Sequence, residues 1–282
     1  MTKFVFITGV STGIGLALLE FFYDMGFHVI GTVRSKKDAD ILQLKYGKLF
    51  TCLIFDVRDQ EKMKTETDRV KPILEETGLH CLINNAGYAE PGPLELLSEE
   101  AFESQLDVNL KSIRRITNTL LPYLKKADSA RIINISSVSG ILNTPYLGAY
   151  CISKHALESM TEIYRRELAQ FGVKVISVLP GPVKTEIWKK NIGVLNPYFD
   201  SAYGHILKNA DKLIEVSDQN GLPVSRVTET VWKAFVARNP KTSYMVHKKS
   251  RAIWFLVNVV PARLLDKLIE RTLSKGKQIR PV

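Results

Sequence analysis

The chain of 282 residues has few cysteines and lacks several patterns that define whole classes of protein. Its three cysteines, Cys52, Cys81 and Cys151, show no C-x-x-C spacing, which excludes a disulfide-rich scaffold and indicates reduced, mostly buried thiols. The five histidines show no H-E-x-x-H or other ligand spacing, so we expect no metal site. The sequence also has no low-complexity tract and no internal repeat, which argues against a disordered or solenoid protein.

No apolar run approaches the roughly 20 residues that cross a bilayer. The N-terminal stretch MTKFVFITGV runs directly into a strand-like segment, without the apolar run and small-residue cleavage site of a secretory signal. We therefore expect a cytoplasmic protein. The hydrophobic content of 45% and the charged content of 24% are typical of a globular protein with a large core, and we predict one domain over residues 1–282.

The formal charge of +10 is concentrated near the C-terminus. Residues 248–282 contain nine lysines and arginines against two acids, Asp266 and Glu270, and the helical pattern within them is apolar on one face and basic on the other. Two interpretations stay open. The commoner case is a solvated basic face over a helix that packs on the protein body, and the alternative is an amphipathic segment that lies on a membrane surface.

Short β-branched and aromatic segments alternate with longer helical patterns along the chain. These segments are apolar throughout, which is typical of parallel strands buried on both faces and covered by helices. The sequence therefore predicts an α/β fold with a single doubly wound, Rossmann-type parallel sheet and helices on both faces. The predicted strands are 3–8, 28–33, 49–57, 79–87, 130–137, 173–181 and 243–246. Residues 186–225 are the least regular and are interpreted as a substrate lid or insertion.

A glycine-rich loop follows the first predicted strand and opens a helix. In TGVSTGIG, residues 8–15, Gly9 allows a tight turn, Gly13 lets backbone N–H groups approach a pyrophosphate, and Gly15 permits close packing of helix on strand. The spacing is G-x-x-x-G-x-G rather than the commoner G-x-G-x-x-G, and a plain turn is the alternative. Strand, loop and helix in this order favour a dinucleotide site. Its predicted contacts are Gly9, Ser11, Thr12, Gly13, Ile14 and Gly15.

The second predicted strand ends in GTVRSKK, where NAD-binding folds usually carry an acid. Arg34 stands there instead, and a cation at this place suits the additional ribose phosphate of NADP. We therefore predict NADP(H) as the cofactor, with NAD(H) less favoured. Asp56 and Val57, at the end of the third strand, are predicted contacts near the adenine ring. The neighbouring Lys36 and Lys37 are equally consistent with ordinary surface charge.

The stretch GAYCISK, residues 148–154, places Tyr150 and Lys154 one helical turn apart on the same face. A surface pair is the simplest interpretation. The alternative is a catalytic pair, because a phenol of pKa about 10 is a poor base at neutral pH until a cation stabilises its anion.

Taken together, these motifs resemble the short-chain dehydrogenase/reductase family in its compact single-domain branch, from Phe4 to about Thr185. The resemblance rests on TGVSTGIG, DV at 56, NNAG at 84, DVNL at 107, ISSVSG at 135, YCISK at 150 and PGPVKT at 180. It implies that Tyr150 is the general acid/base and that Lys154 lowers its pKa and holds the nicotinamide ribose. It further implies that Ser137 holds the substrate oxygen, and that Asn109 lies in a distorted helix where a water links Lys154 to solvent.

The resemblance also implies contacts beyond this tetrad. Asn84, Ala86 and Gly87 would contact the cofactor after the fourth strand, and Pro180, Gly181, Val183 and Thr185 would border the nicotinamide. At several of these positions a tight turn is the structural alternative. The implied reaction interconverts a carbonyl and an alcohol by hydride transfer, with Tyr150 exchanging the proton. The helices near 100–126 and 148–171 would form a homodimer or homotetramer, and packing of their apolar stripes on the sheet is the alternative.

Segments that we expect to border the substrate are apolar or aromatic, which favours a hydrophobic small molecule. They are 91–97, 141–148 and the part of 186–225 that carries Ile187, Trp188, Tyr198, Phe199 and Tyr203. GTVRS and the PARLLD tail are similar to hydroxysteroid and retinol dehydrogenase-like members, so steroid, retinoid, fatty or aromatic carbonyl compounds come first.

Two other functions stay open. One is an NADP(H)-sensing regulator without significant turnover, which the intact tetrad disfavours. The other is a module that binds a membrane surface through the basic C-terminal segment 248–282. We expect no nucleic-acid partner.

Overall fold

A computed structural model describes residues 2–185, 193–207 and 221–274 of the chain. Seven parallel strands form one sheet in the order β3-β2-β1-β4-β5-β6-β7. The chain builds outward from β1 to β3, then crosses back and continues on the other side of β1 with β4. The strands are β1 (Phe4–Ile7), β2 (His28–Val33), β3 (Phe50–Ile54), β4 (Cys81–Asn84), β5 (Arg131–Ile135), β6 (Lys174–Pro180) and β7 (Ser243–Val246). This topology confirms the predicted doubly wound sheet.

Helices connect the strands and cover both faces of the sheet. The first group is α1 (Gly13–Asp24), α2 (Lys36–Tyr46), α3 (Gln60–Asp68), α4 (Lys71–Thr77), α5 (Glu99–Leu106) and α6 (Ser112–Lys126). The second group is α7 (Gly148–Glu167), α8 (Ser225–Val236), α9 (Ser250–Asn258) and α10 (Ala262–Ser274). A single helical turn also lies at Gly204–Leu207, and a π-helical turn, Asp107–Lys111, joins α5 to α6.

Some of the helices begin at a side chain that caps them. Ser35 caps α2 by accepting a hydrogen bond from the Asp38 N–H, and Ser98 caps α5 in the same way. A short polar side chain at this position pairs a backbone N–H that has no partner inside the helix. These caps fix where each crossover helix leaves the carboxyl end of its strand.

Two apolar cores lie on opposite faces of the sheet. On one face, Leu18 and Phe22 of α1 and Val231 of α8 pack against the strands. On the other face, Leu74 of α4 and Leu120 of α6 do so. The central strands β1 and β4 are buried at every residue, which is why their sequences lack polar alternation. The sheet is therefore a rigid base for the loops at its carboxyl edge.

The predicted lid at 186–225 is described only in part, and Ile187 and Trp188 lie outside the described residues. The aromatic side chains of the described part form a small cluster around Leu195 and Leu207, which contains Tyr146, Tyr198, Phe199 and Tyr203. All three cysteines, Cys52, Cys81 and Cys151, are buried and free, as predicted. Within the described ranges, no helix is long and apolar enough to cross a membrane.

Candidate active site

A cavity with a volume of about 890 Å³ lies at the carboxyl edge of the sheet. Loops that follow β1, β4, β5 and β6 all contribute to its wall. In open parallel sheets, ligands bind where the strand order reverses, which here is between β1 and β4. The topology thus brings residues far apart in sequence to one place.

The glycine-rich loop forms one end of this cavity. Gly9 and Gly13 have φ values of +71° and +61°, a conformation that side-chain-bearing residues rarely adopt. At Gly15 a Cβ atom would lie 2.0 Å from the Gly9 carbonyl oxygen, so only glycine fits there. The loop therefore exposes backbone N–H groups at the start of α1, an arrangement suited to phosphate.

Two residues that the sequence analysis did not single out hold this loop in place. The Thr8 hydroxyl accepts hydrogen bonds from the N–H groups of Asn85 and Ala86, both at 2.9 Å. The Asn85 side-chain amide donates to the carbonyl oxygens of Thr8 and Gly9 at 2.9 and 3.0 Å. Thr8 lies in the motif TGVS and Asn85 in the motif NNAG, so their places in these motifs were the sequence signal for both residues.

The end of the cavity beyond β2 and β3 contains Arg34, the residue predicted to favour NADP(H) over NAD(H). Arg34, Asp56 and Val57 all line the cavity. Arg58, which was not predicted, also lines it and forms an ion pair with Asp56 at 2.9 Å. The hydrogen bonds from Arg58 lower the pKa of Asp56, so this carboxylate stays ionised with its charge balanced. Lys36 pairs with Asp40 on the surface of α2 and is not part of the cavity wall.

Ser137, Tyr150 and Lys154 line the same cavity. Helix α7 carries Tyr150 and Lys154, and the Lys154 ammonium lies 5.8 Å from the centre of the Tyr150 ring. The Lys154 ammonium donates to the Ile135 carbonyl oxygen at 3.0 Å, at the end of β5. Ser137 follows two residues later, so one strand end positions both the serine and the lysine.

Burial controls the protonation of this cluster. It raises the pKa of Tyr150, while a hydrogen bond with Ser137 acts in the opposite direction. Burial also lowers the pKa of Lys154 to about 8, partly countered by the Glu158 carboxylate. In the chain alone, Tyr150 is therefore a protonated phenol at neutral pH rather than the phenolate that a neighbouring cation would favour.

Asn109 lies inside the π-helical turn, so the helix is distorted at the position where the resemblance implied a distortion. Its side-chain oxygen accepts from the Tyr88 N–H at 3.1 Å, and its amide donates to the Tyr88 carbonyl and the Ser153 hydroxyl. Gly87 lies between Asn109 and Lys154, since a Cβ atom there would be 3.0 Å from the Asn109 oxygen and 3.7 Å from the Lys154 nitrogen. Asn109 thus ties the loop after β4 to α7.

Three predicted site residues do not reach the cavity wall. Gly15 packs against Gly9, and Asn109 is fully buried behind the wall. Asn84 is also fully buried, and its amide donates to Asn134 and Thr117 inside the core. The other predicted residues line the cavity: Gly9, Ser11, Thr12, Gly13, Ile14, Arg34, Asp56, Val57, Ala86, Gly87, Ser137, Tyr150, Lys154, Pro180, Gly181, Val183 and Thr185.

The remaining wall is mostly apolar. Part of it was expected, because Leu142, Pro145 and Tyr146 come from the segment 141–148. The unexpected part comes from the C-terminal helices, where Leu256 of α9 and Leu265 of α10 reach the cavity together with Leu268 and Ile269. Leu265, Leu268 and Ile269 repeat at helical spacing, and this spacing was the sequence signal that they share one face of a helix. The part of the basic C-terminal segment that the structure describes, up to Ser274, therefore contributes to the cavity wall.

The sequence model of the short chain dehydrogenase family matches residues 3–193 of this chain. This chain belongs to the short-chain dehydrogenase/reductase family. It is 38% identical over 280 residues to an NADPH-dependent 3-dehydrocapnine reductase of Ornithobacterium rhinotracheale, covering 98% of this chain and 99% of the relative. It is 31% identical to the retinol dehydrogenase 16 of Mus musculus, covering 98% and 90%. A short-chain dehydrogenase from Streptomyces avermitilis shares the fold, with a TM-score of 0.78 and 24% identity over 98% of both chains.

The residues of this short-chain dehydrogenase fit a dinucleotide. The glycines at positive φ leave the loop open at the start of α1, and Arg34 adds a cation at the far end of the same cavity. A protonated phenol, a serine hydroxyl and a buried lysine stand at its wall. Such a set can hold a carbonyl oxygen and give it a proton.

Proposed function

We propose that the chain is an NADPH-dependent reductase of carbonyl groups on hydrophobic small molecules. One observation carries the proposal: Ser137, Tyr150 and Lys154 line a single cavity whose other walls are the glycine-rich loop and a set of apolar side chains. The loop suits a nucleotide, and the apolar walls suit a substrate without charge along most of its length.

The chemistry follows from the protonation of the cluster. Bound NADPH would supply the hydride. The Tyr150 hydroxyl donates a proton to the substrate oxygen, and the Ser137 hydroxyl holds that oxygen. Because burial keeps Tyr150 protonated, the chain alone is prepared to act as an acid, which is the role that carbonyl reduction needs. Lys154 then stabilises the phenolate that forms, and Asn109 positions the loop beside it.

For the cofactor, Arg34 would hold the additional ribose phosphate of NADPH. The neighbouring Asp56 is neutralised by Arg58, so it adds little repulsion toward that phosphate. Val57 and Thr185 would border the adenine and nicotinamide ends. The 38% identical relative is an NADPH-dependent reductase, which supports this choice over NAD.

For the substrate, the apolar wall built by α9, α10 and the segment 141–148 favours a long apolar chain over a compact polar molecule. The relatives named for 3-dehydrocapnine and for retinol support a hydrophobic carbonyl or alcohol. We therefore place 3-dehydrocapnine and long-chain ketones first, ahead of steroids and aromatic carbonyl compounds.

The test is a series of methyl ketones of increasing chain length, with 3-dehydrocapnine and a steroid ketone beside it. We expect kcat/KM with NADPH to rise with chain length, because each CH₂ group buried adds about 0.8 kcal/mol. Leu265→Gln, at the cavity wall, should flatten that rise, whereas Leu44→Gln on the outer surface of α2 should not. NADPH binding without turnover on any ketone would favour a cofactor-sensing regulator instead.

We also propose that the protein assembles as a homodimer or homotetramer through α7. Ile152 and Ile163 on this helix are 41% and 49% exposed, so they form an apolar stripe without cover from the chain itself. Light scattering should give a mass above the 31.8 kDa of one chain, and Ile163→Glu should lower it. A monomer in both samples would refute the assembly and leave the reductase proposal untouched.

A further inference from the structure

The C-terminal helices present a cluster of large apolar side chains to solvent. Trp254 is 58% exposed, Phe255 and Val259 are each 52% exposed, and Leu264 is 51% exposed. We call these four residues the apolar C-terminal face. Elsewhere in the described chain, exposed large apolar residues are spread over several helices, whereas here they are concentrated within eleven positions along α9 and the start of α10. Concentrations of this kind mark surfaces that bind something.

Exposed basic residues lie close in sequence to the apolar C-terminal face. Its exposed cations outnumber the two acids nearby, Asp266 and Glu270. They are Lys249, Arg251, Arg263, Lys267 and Arg271. This charge favours an anionic partner, and an aromatic and aliphatic centre with a cationic rim is typical of helices that lie in a lipid interface. A nucleic acid would instead contact mainly the cations and leave the apolar centre exposed to water.

The length of the helices fits a surface position. Helix α9 has 9 residues and α10 has 13, so they are about 14 and 20 Å long, too short to span a bilayer. Each helix is anchored on the other side, since Ile253 is fully buried and Leu265 reaches the cavity. The helices therefore have one face toward the protein and one apolar face toward the outside.

The same helices connect that outer surface to the cavity. Leu268 lines the cavity and is also 43% exposed, and Leu256 lines the cavity next to the exposed Phe255. Leu268 therefore belongs both to the cavity wall and to the outer surface of α10.

We infer that α9 and α10 dock this protein on an anionic lipid surface, with the apolar C-terminal face inserted among the acyl chains and the basic rim against the headgroups. The active-site cavity then opens toward the lipid, and a long-chain ketone enters from the membrane. The entry route rests on the proposed function, but the docking itself does not.

The experiment measures sedimentation of the full-length protein with vesicles of phosphatidylglycerol and, separately, of phosphatidylcholine. We expect binding to phosphatidylglycerol vesicles that weakens as salt is raised, because the rim charges are screened. Trp254→Ser with Phe255→Ser should weaken binding at least about tenfold, since two large apolar side chains no longer enter the lipid. The matched control, Ile41→Ser with Leu44→Ser, removes two exposed apolar residues from α2 and should bind like the wild type.

Activity distinguishes the docking from the proposed function. The Trp254→Ser, Phe255→Ser variant should reduce a short, water-soluble ketone at the wild-type rate, because neither residue lines the cavity. Reduction of a long-chain ketone supplied in vesicles should fall with the loss of binding. If no ketone is reduced but the vesicle results stand, the proposed function fails and the docking survives.

Four outcomes would overturn the docking. The first is no sedimentation with either vesicle, and the second is equal binding by the double variant and the wild type. The third is a dimer that the double variant converts to a monomer, which would show that a second copy covers the apolar C-terminal face. A DNA duplex that binds as tightly as the vesicles, with no effect of the double variant, would count against a lipid partner as well.

Discussion

Replacing Lys154 by methionine is expected to stabilise the folded chain at neutral pH while it abolishes turnover. The Lys154 ammonium is 4% exposed, and burial lowers its pKa from 10.5 to about 8. Because a shift of one pKa unit corresponds to about 1.4 kcal/mol, keeping this charge inside the protein costs about 3 kcal/mol at pH 7. Methionine has a similar length and carries no charge, so this cost disappears.

The substitution also has an opposing effect. Lys154 donates a hydrogen bond to the Ile135 carbonyl oxygen, and leaving that oxygen without a donor costs about 1–3 kcal/mol. We expect the variant to gain up to about 2 kcal/mol of unfolding free energy at pH 7. Between pH 8 and 10.5 the unfolded chain binds more protons than the folded one at this site, so the stability of the wild type rises with pH. Above that range the lysine is neutral in both states, and the wild type should be the more stable protein.

Urea denaturation of the wild type and Lys154→Met at pH 7 and again above pH 10 measures this difference. Lys62→Met, at an exposed position on α3, is the control and should change stability little at either pH. The reasoning is refuted if Lys154→Met is no more stable than the wild type at pH 7 and the difference between the two proteins does not change with pH.

Four further predictions concern single positions. Arg34→Ser should raise KM for NADPH by about tenfold or more and leave KM for NADH nearly unchanged, because one charge-assisted contact to phosphate is lost. Initial rates measure both KM values. Equal effects on the two cofactors would contradict the role of Arg34 in binding the phosphate. Gly15→Ala should abolish NADPH binding, followed by fluorescence, because its Cβ would lie 2.0 Å from the Gly9 oxygen; normal binding would show that the loop can move. Ser137→Ala should lower kcat by about 100-fold or more, since the substrate oxygen loses a donor. Ser136→Ala should be neutral or stabilise the fold by about 1 kcal/mol, because its buried hydroxyl has no hydrogen-bond partner among the described residues; a large loss of kcat in Ser136→Ala would reverse these two assignments.

Much of the fold was predictable because the strands are apolar throughout. Val29 and Ile30 of β2 are fully buried, and so are Ile132 and Ile133 of β5. Apolar runs of this kind, separated by helical patterns, predict a parallel sheet. The helix that carries Tyr150 and Lys154 was predictable for the same reason, since a local period determines which residues share a face.

Other features depend on contacts between distant parts of the chain. Nothing near Leu265 in the sequence shows that it meets the wall formed by Leu142 and Pro145, because the sheet brings these segments together only after folding. The hydrogen bonds from Asn85 to the loop at Thr8 and Gly9 also span more than 70 residues. The protonated state of Tyr150 follows from burial, which periodicity alone does not give.

The most direct test of the account is NADPH oxidation by the wild type and by Tyr150→Phe, with a long-chain ketone as substrate and NADH in parallel. The account predicts turnover with NADPH, a strong preference over NADH, and loss of at least about 99% of kcat in the variant, since general acid catalysis contributes roughly 100-fold or more. The variant should still bind NADPH, because the loop at Gly9 and the cation of Arg34 are unchanged. Retention of most of kcat in Tyr150→Phe would contradict the proton-donor role, and a preference for NADH would contradict the role of Arg34.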